Sequence, residues 1–188
     1  MTAPASAERP RRSWPRFLPP LLAFLVVALL GWLLLRPAPQ APATSSLIGR
    51  AAPDFTLNTL DGQTVQLSKL RGQPVILNFW ASWCGPCQEE APLFHELGTR
   101  QAAQGFKVVG VLFQETDEAS ARQFIAQHGL NYANAQDKSA DTAIAYGIAG
   151  IPDTFFIDGA GKVQHFDRGG LNRERLNVGL EKLGLPKL

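Results

Sequence analysis

Val75-Ile76-Leu77-Asn78-Phe79-Trp80-Ala81-Ser82-Trp83-Cys84-Gly85-Pro86-Cys87 carries the decisive pattern of this 188-residue chain. Its first six residues form a nearly continuous apolar run, the pattern of a central strand buried on both faces. The only two cysteines of the chain follow, three residues apart, around a Gly-Pro dipeptide. Pro86 suits the first turn of a helix, where its missing N–H has no partner to lose. A helix starting there puts Cys84 where unpaired N–H groups and the positive end of the dipole favour thiolate over thiol. Cys87 falls one turn along on the same face, within reach of a disulfide with Cys84. A strand that delivers two thiols to a helix start is a redox arrangement.

Other uses of two cysteines fit less well. A tetrahedral zinc site needs four ligands, and His95, His128 and His165 are scattered without metal-ligand spacing. A c-type haem attachment site needs a histidine after the second cysteine, where Gln88 stands. A purely structural bridge over so short a loop gains little loop-closure entropy. The pattern calls for no metal and no other cofactor.

The length allows one globular domain and an appendage. Residues 17–35 are a span of nineteen residues without a charge, preceded by Arg9, Arg11, Arg12 and Arg16 and followed by Arg36. At about 1.5 Å per residue this span roughly crosses the hydrocarbon core of a bilayer. The excess of arginine on the N-terminal side sets residues 1–16 in the cytoplasm and the rest outside. The expected organisation is a basic cytoplasmic stretch 1–16, a single transmembrane anchor 17–36, a Pro/Ala/Ser tether 37–46 and a globular domain 47–188. A cleaved signal peptide ending near Ala41-Pro42-Ala43 is the competing reading; the proline is awkward there and the apolar run is long for a signal core. Either way the domain faces the periplasm or an equivalent extracytoplasmic space. Residues 1–43 carry five arginines and one glutamate, which leaves thirteen basic and fifteen acidic residues elsewhere. The overall charge of +2 thus reflects the membrane flank, and nothing in it points to nucleic acid.

Along the domain, Asp54–Leu57, Asp61-Gly62 and Thr64–Leu67 read as strand, turn, strand. Val75–Trp80 is the central strand, and a helix runs from Gly85 to about Ala103 with Ala91, Phe94, Leu97 and Ala102 on its apolar stripe. Phe106–Phe113 reads as a further buried strand. A helix from about Asp117 to His128 is capped near Thr116 or Asp117 and stopped by Gly129. Asp141–Tyr146 is a short helix. Thr154–Asp158 and Lys162–Asp167 form a hairpin around Gly159-Ala160-Gly161, and Asn172 caps a last helix that reaches about Leu183. This alternation predicts an α/β fold, a mixed sheet with helices on both faces, with the cysteines at the C-terminal end of a central strand.

The stretches Ala52-Pro53-Asp54-Phe55-Thr56-Leu57, Leu60-Asp61-Gly62, Asn78 to Cys87 and Gly150-Ile151-Pro152-Asp153-Thr154 resemble the TlpA/ResA/CcmG group. These are membrane-anchored, thioredoxin-fold thiol-disulfide oxidoreductases of the extracytoplasmic space. The resemblance spans Leu47 to Leu183, and Tyr146 to Gly159 is most similar to the cytochrome c maturation branch, also called DsbE. It implies a thioredoxin-like sheet with an N-terminal β-hairpin extension. An X–Pro bond is cis in only about 5% of cases in folded proteins. The resemblance nonetheless implies a cis Ile151–Pro152 bond facing the cysteines, with the Ile151 backbone free to pair with an extended substrate. Trp83, Asp153 and Thr154 would then touch substrate, although Trp83 also reads as core and Asp153 as a plain turn residue.

Thioredoxins of the cytoplasmic type carry a buried aspartate six residues before the first cysteine; here Asn78 stands, which cannot ionise. Glu90, three residues after Cys87, matches an acidic residue of the ResA-like group. Partly buried, it would have a raised pKa and could relay the proton of Cys87; otherwise it is a solvated helix residue like Glu89. The expected chemistry is attack of Cys84 on a protein disulfide, resolved by Cys87. The Gly-Pro dipeptide matches thioredoxin, near −270 mV, rather than the oxidant DsbA, near about −120 mV. The chain is then a reductant, fed by a CcdA/DsbD-type transmembrane donor, with the cysteine pair of apocytochrome c as the implied substrate. Four alternatives remain: a general thiol-disulfide reductase, a peroxiredoxin-like peroxidase, a copper-site assembly protein and a non-catalytic tethered domain. The peroxidase lacks its proline and threonine before the cysteine, and copper lacks a nearby methionine or histidine.

Overall fold

The computed structural model describes residues 18–35 and 45–188. The basic stretch 1–16 and most of the tether 37–46 lie outside the described residues. The chain divides into two units, Met1–Ala41 and Pro42–Leu188.

In the first unit, α1 (Leu18–Leu35) is an 18-residue helix without a charged residue. Its described large side chains, among them Leu22, Phe24, Val27, Leu30 and Trp32, are exposed. A helix of that length measures about 27 Å, a little short of a hydrocarbon core of about 30 Å. Among the described residues, no helix is long and apolar enough to cross a membrane.

The second unit is built on a seven-stranded mixed sheet in the order β2-β1-β5-β4-β3-β6-β7. Its centre is β3 (Val75–Trp80), buried at every residue as its apolar run requires. β3 pairs in parallel with β4 (Lys107–Leu112), from Val75 opposite Lys107 to Trp80 opposite Leu112. On its other side it pairs antiparallel with β6 (Asp153–Ile157), with Asn78 opposite Thr154 and Phe79 opposite Asp153. β7 (Val163–Arg168) closes that edge as the second arm of a hairpin. The expected N-terminal hairpin is present as β1 (Thr56–Thr59) and β2 (Thr64–Gln66). It joins the sheet through β5 (Ala133–Gln136), a strand the sequence did not announce.

Helices cover both faces. On one face α2 (Gly85–Gln104), α3 (Glu118–His128) and α5 (Arg173–Lys182) bury Phe94, Leu97, Phe124 and Leu176 against Ile76, Trp80 and Phe156. On the other, α4 (Asp141–Tyr146) and the segment before β1 pack Tyr146 and Phe55 on Leu77, Phe79 and Phe155. The caps act as read from the sequence. The Asp117 carboxylate accepts from the Ala119 N–H, Asn172 Oδ1 accepts from the Arg175 N–H, and Gly129 ends α3 at φ 62°. At Gly179, α5 touches the sheet so closely that a Cβ would stand 2.2 Å from Cζ of Phe156. This is a thioredoxin-like α/β fold.

Candidate functional site

Cys84 is the N-cap of α2, and its sulfur accepts from the Cys87 N–H at 3.2 Å. The two cysteines form a disulfide with an S–S distance of 2.07 Å. Cys84 is 6% and Cys87 3% exposed, so both sulfurs lie in largely buried residues. Trp83, immediately before it, is 58% exposed rather than core. The loop beneath is pinned by Glu115, whose Oε2 accepts from the Ser82 N–H at 2.9 Å.

Register brings the second predicted segment to the same end of the sheet. Asp153 lies opposite Phe79, so Pro152 stands beside the C-terminal end of β3, where the cysteine loop begins. The Ile151–Pro152 bond is cis. Ile151 is half-buried against the cluster that contains both cysteines. Asp153 is the first residue of β6, buried to 1% exposure, and not a turn residue. Neither of its carboxylate oxygens has a hydrogen-bond partner among the described residues, and Nε of Arg168 is 3.7 Å away. Burial therefore pushes its pKa up to about 6, against the pull of Arg168.

Glu90 is no solvated helix residue. It is 1% exposed, whereas its neighbour Glu89 is open to solvent. Its Oε1 accepts from Asn78 Nδ2 at 2.9 Å and its Oε2 from the Leu171 N–H at 2.9 Å. Asn78 Nδ2 also donates to Thr154 Oγ1 at 3.1 Å. Desolvation raises the Glu90 pKa to about 7, opposed by these donors and by the charge of Arg175 and reinforced by Asp153. Glu90, Asn78 and Cys87 line one small cavity, walled by Trp80, Phe94 and Tyr132. A buried carboxylate that titrates near neutrality, beside a thiol pair one turn away, can take up or release a proton as the thiols react.

The structure thus brings Cys84, Cys87, Glu90, Pro152, Asp153 and Thr154 to one end of the sheet. Sequence reasoning missed the loop 168–172, whose Gly169 N–H donates to the Pro152 carbonyl at 2.7 Å and whose Leu171 N–H meets Glu90. Backbone donors leave no residue signature; the paired glycines 169 and 170 were the available hint. Among the described residues, no group of three or more His, Cys, Asp or Glu is placed to hold a metal ion. A cavity of about 700 Å³, lined by Leu60, Val65, Lys107, Ile125 and Tyr132, opens near the start of β4, and no residue predicted for the site lines it.

The chain is similar to known proteins. Residues 48–166 match the AhpC/TSA family. The thiol-disulfide oxidoreductase ResA of Bacillus thuringiensis is 36% identical over 136 residues, 72% of this chain and 78% of that protein. A thiol:disulfide interchange protein DsbE homologue of Paracoccus denitrificans is 38% identical over 164 residues, 85% of this chain and 88% of that one. A crystal structure of a thiol:disulfide interchange protein of the thioredoxin family from Chlorobium tepidum superposes with a TM-score of 0.64. It is 26% identical and covers 76% of this chain and 99% of its own. Fold, disulfide and relatives agree: the chain belongs to the AhpC/TSA family, among its thioredoxin-fold thiol-disulfide oxidoreductases of the ResA and DsbE kind.

Proposed function

We propose that the protein is an extracytoplasmic reductant of protein disulfides, acting on the oxidised cysteine pair of apocytochrome c. The observation that carries this reading is the Cys84–Cys87 disulfide at the start of α2, sharing a cavity wall with the buried Glu90. In the reduced protein, the Cys84 thiolate attacks one sulfur of the substrate disulfide. The substrate S–S bond breaks, a mixed disulfide forms, and the departing substrate sulfur takes a proton. Cys87 then gives its proton to the Glu90 carboxylate and attacks the sulfur of Cys84, which releases the second substrate thiolate. The substrate gains two electrons and, once protonated, leaves as a dithiol; the protein is left as the disulfide. Trp83 and the Ile151–Pro152 segment face the substrate in this scheme, and Asp153 and Thr154, expected from the sequence to touch it, are buried and support that segment from β6.

The direction follows from the Gly85-Pro86 dipeptide, which favours a potential near that of thioredoxin. A reductant outside the cytoplasm has to be recharged, and a CcdA/DsbD-type transmembrane dithiol carrier supplies that pair of electrons. The uncharged run 17–35, with Arg9, Arg11, Arg12 and Arg16 ahead of it, supports a single-pass anchor in the cytoplasmic membrane, the described helix α1 being by itself a little short of a span. The similarity of residues 146–159 to the cytochrome c maturation branch supports the substrate.

Trapping tests the reading. A Cys87→Ala variant should accumulate a mixed disulfide between Cys84 and an oxidised Cys-x-x-Cys-His peptide, seen as a mass adduct that dithiothreitol removes. Absence of the adduct, with rapid consumption of peroxide by the wild type instead, would make the protein a peroxidase.

A further inference from the structure

The loop between β7 and α5 touches three parts of the site within three residues. The Gly169 N–H holds the Pro152 carbonyl at 2.7 Å. Gly170 lies against the redox dipeptide, where a Cβ would stand 3.6 Å from the Pro86 carbonyl oxygen. The Leu171 N–H holds Glu90 Oε2 at 2.9 Å. One side chain fastens this loop from the first turn of α5. Nη1 of Arg175 donates to the Gly170 carbonyl at 2.7 Å, and Nη2 donates to the Arg168 carbonyl at 2.7 Å and to the Asp167 carboxylate. A planar guanidinium with five donors can hold two carbonyls and a carboxylate together; a lysine ammonium is a point charge on a flexible stem.

We propose that Arg175 is a positioning residue for disulfide exchange, bracing loop 168–172 so that Leu171 stays on Glu90 and Gly169 on the Pro152 carbonyl. This rests on the reading of Glu90 as the proton acceptor of Cys87. Without Arg175, the Arg168 and Gly170 carbonyls lose their donor and the loop is free to leave the carboxylate. Glu90 then loses a hydrogen bond to its ionised form and a nearby positive charge, and both losses disfavour ionisation. The groups that face Glu90 are Asp153 from β6, Tyr132 ahead of β5, Arg175 from α5 and Cys87 on its own helix, with Asp167 of β7 behind Arg175. Asp153 pushes Glu90 the same way as loss of Arg175, and burial keeps Tyr132 neutral.

Two readouts on the full chain test the proposal. In the oxidised protein the thiols do not titrate, so the Leu171 amide resonance follows the ionisation of Glu90, with Asp153 adding a separate, lower step. Arg175→Gln should move that midpoint up by about one pH unit, the size expected for one lost charge-assisted hydrogen bond. In the reduced protein the pH–rate profile should move by the same amount, lowering the rate on its acid limb about tenfold. Arg175→Lys, which keeps the charge, should give part of the shift, and it replaces the glutamine variant should that one not fold. Adding Arg175→Gln to Glu90→Gln should move the pH–rate profile no further. A Leu171 midpoint in the Arg175 variants equal to that of the wild type overturns the proposal. A Glu90→Gln profile identical to wild type, with the Leu171 midpoint still moved by Arg175→Gln, instead removes the relay and leaves the brace standing as a purely electrostatic support.

Discussion

Glu90→Gln should make the oxidised protein more stable, by an amount that grows as pH rises from about 4.5 to about 7. The carboxyl keeps its proton in the fold up to about 7, against an ordinary value of 4.5. Between those values the folded state binds a proton that the unfolded chain has released, so stability falls as pH rises through the window. The loss is complete once pH passes the folded value, above about pH 8. A shift of that size corresponds to about 3 kcal/mol, with no discount for solvent because the side chain is buried. Glutamine keeps the site's bonds by a single amide rotation. Its oxygen accepts from the Leu171 N–H, and its NH₂ donates to Asn78 Oδ1 once the Asn78 amide is turned, with the Thr154 hydroxyl donating to the same oxygen. Urea unfolding of wild type and variant, followed by circular dichroism from pH 5 to 8.5, gives the difference curve, in which His165 cancels and Asp153 enters only through its coupling to Glu90. The variant should be ahead by a little under 1 kcal/mol at pH 5 and by about 3 kcal/mol at pH 8.5. A flat difference curve, or a variant weaker at pH 8.5, would refute the account of Glu90 as a desolvated carboxyl.

Three other outcomes are expected. Asp153→Asn removes a charge that raises Glu90 and should move the Glu90 midpoint down, opposite in sign to the Arg175 variants; a pH titration of the Leu171 amide reads this. Gly179→Ala drives a methyl into the Phe156 ring and should destabilise the fold by about 1–3 kcal/mol in urea melts. In the reduced protein near pH 7, iodoacetamide should modify Cys84 before Cys87, as read by peptide mass spectrometry, because Cys84 caps the helix; preferential labelling of Cys87 would exchange their roles.

The sheet and its helices were largely legible because their signals are local. Val75–Trp80 is apolar at five of six positions, and Asp117, Gly129 and Asn172 mark helix ends by their own side-chain and backbone chemistry. β5 was not legible, because Ala133-Asn134-Ala135-Gln136 has no β-branched or aromatic residue. Tertiary contacts decide it: Asn134 is buried with its Oδ1 accepting from Trp80 Nε1 at 3.1 Å and its Nδ2 donating to the Tyr132 carbonyl at 2.8 Å. Both thiols announced themselves by spacing. Asn78 did not; as a residue that cannot ionise it looked like a missing function, and the structure makes it the link between Glu90 and Thr154. Arg175 was invisible for the same reason, since its partners are two carbonyls and a carboxylate brought together only by the fold.

The order in which the site's parts occur along the chain bears on biosynthesis. Synthesis delivers β3 and the two cysteines first, while Thr154 follows Asn78 by 76 residues and Leu171 follows Glu90 by 81. Until β6 inserts beside β3 and α5 docks, Glu90 sits on a lone amphipathic helix in water and Cys87 has no buried carboxylate beside it. A half-made chain therefore has Cys84 at its helix start but no desolvated carboxylate beside Cys87. The proton-accepting half of the site is thus completed last, by the segment that leads into the closing helix.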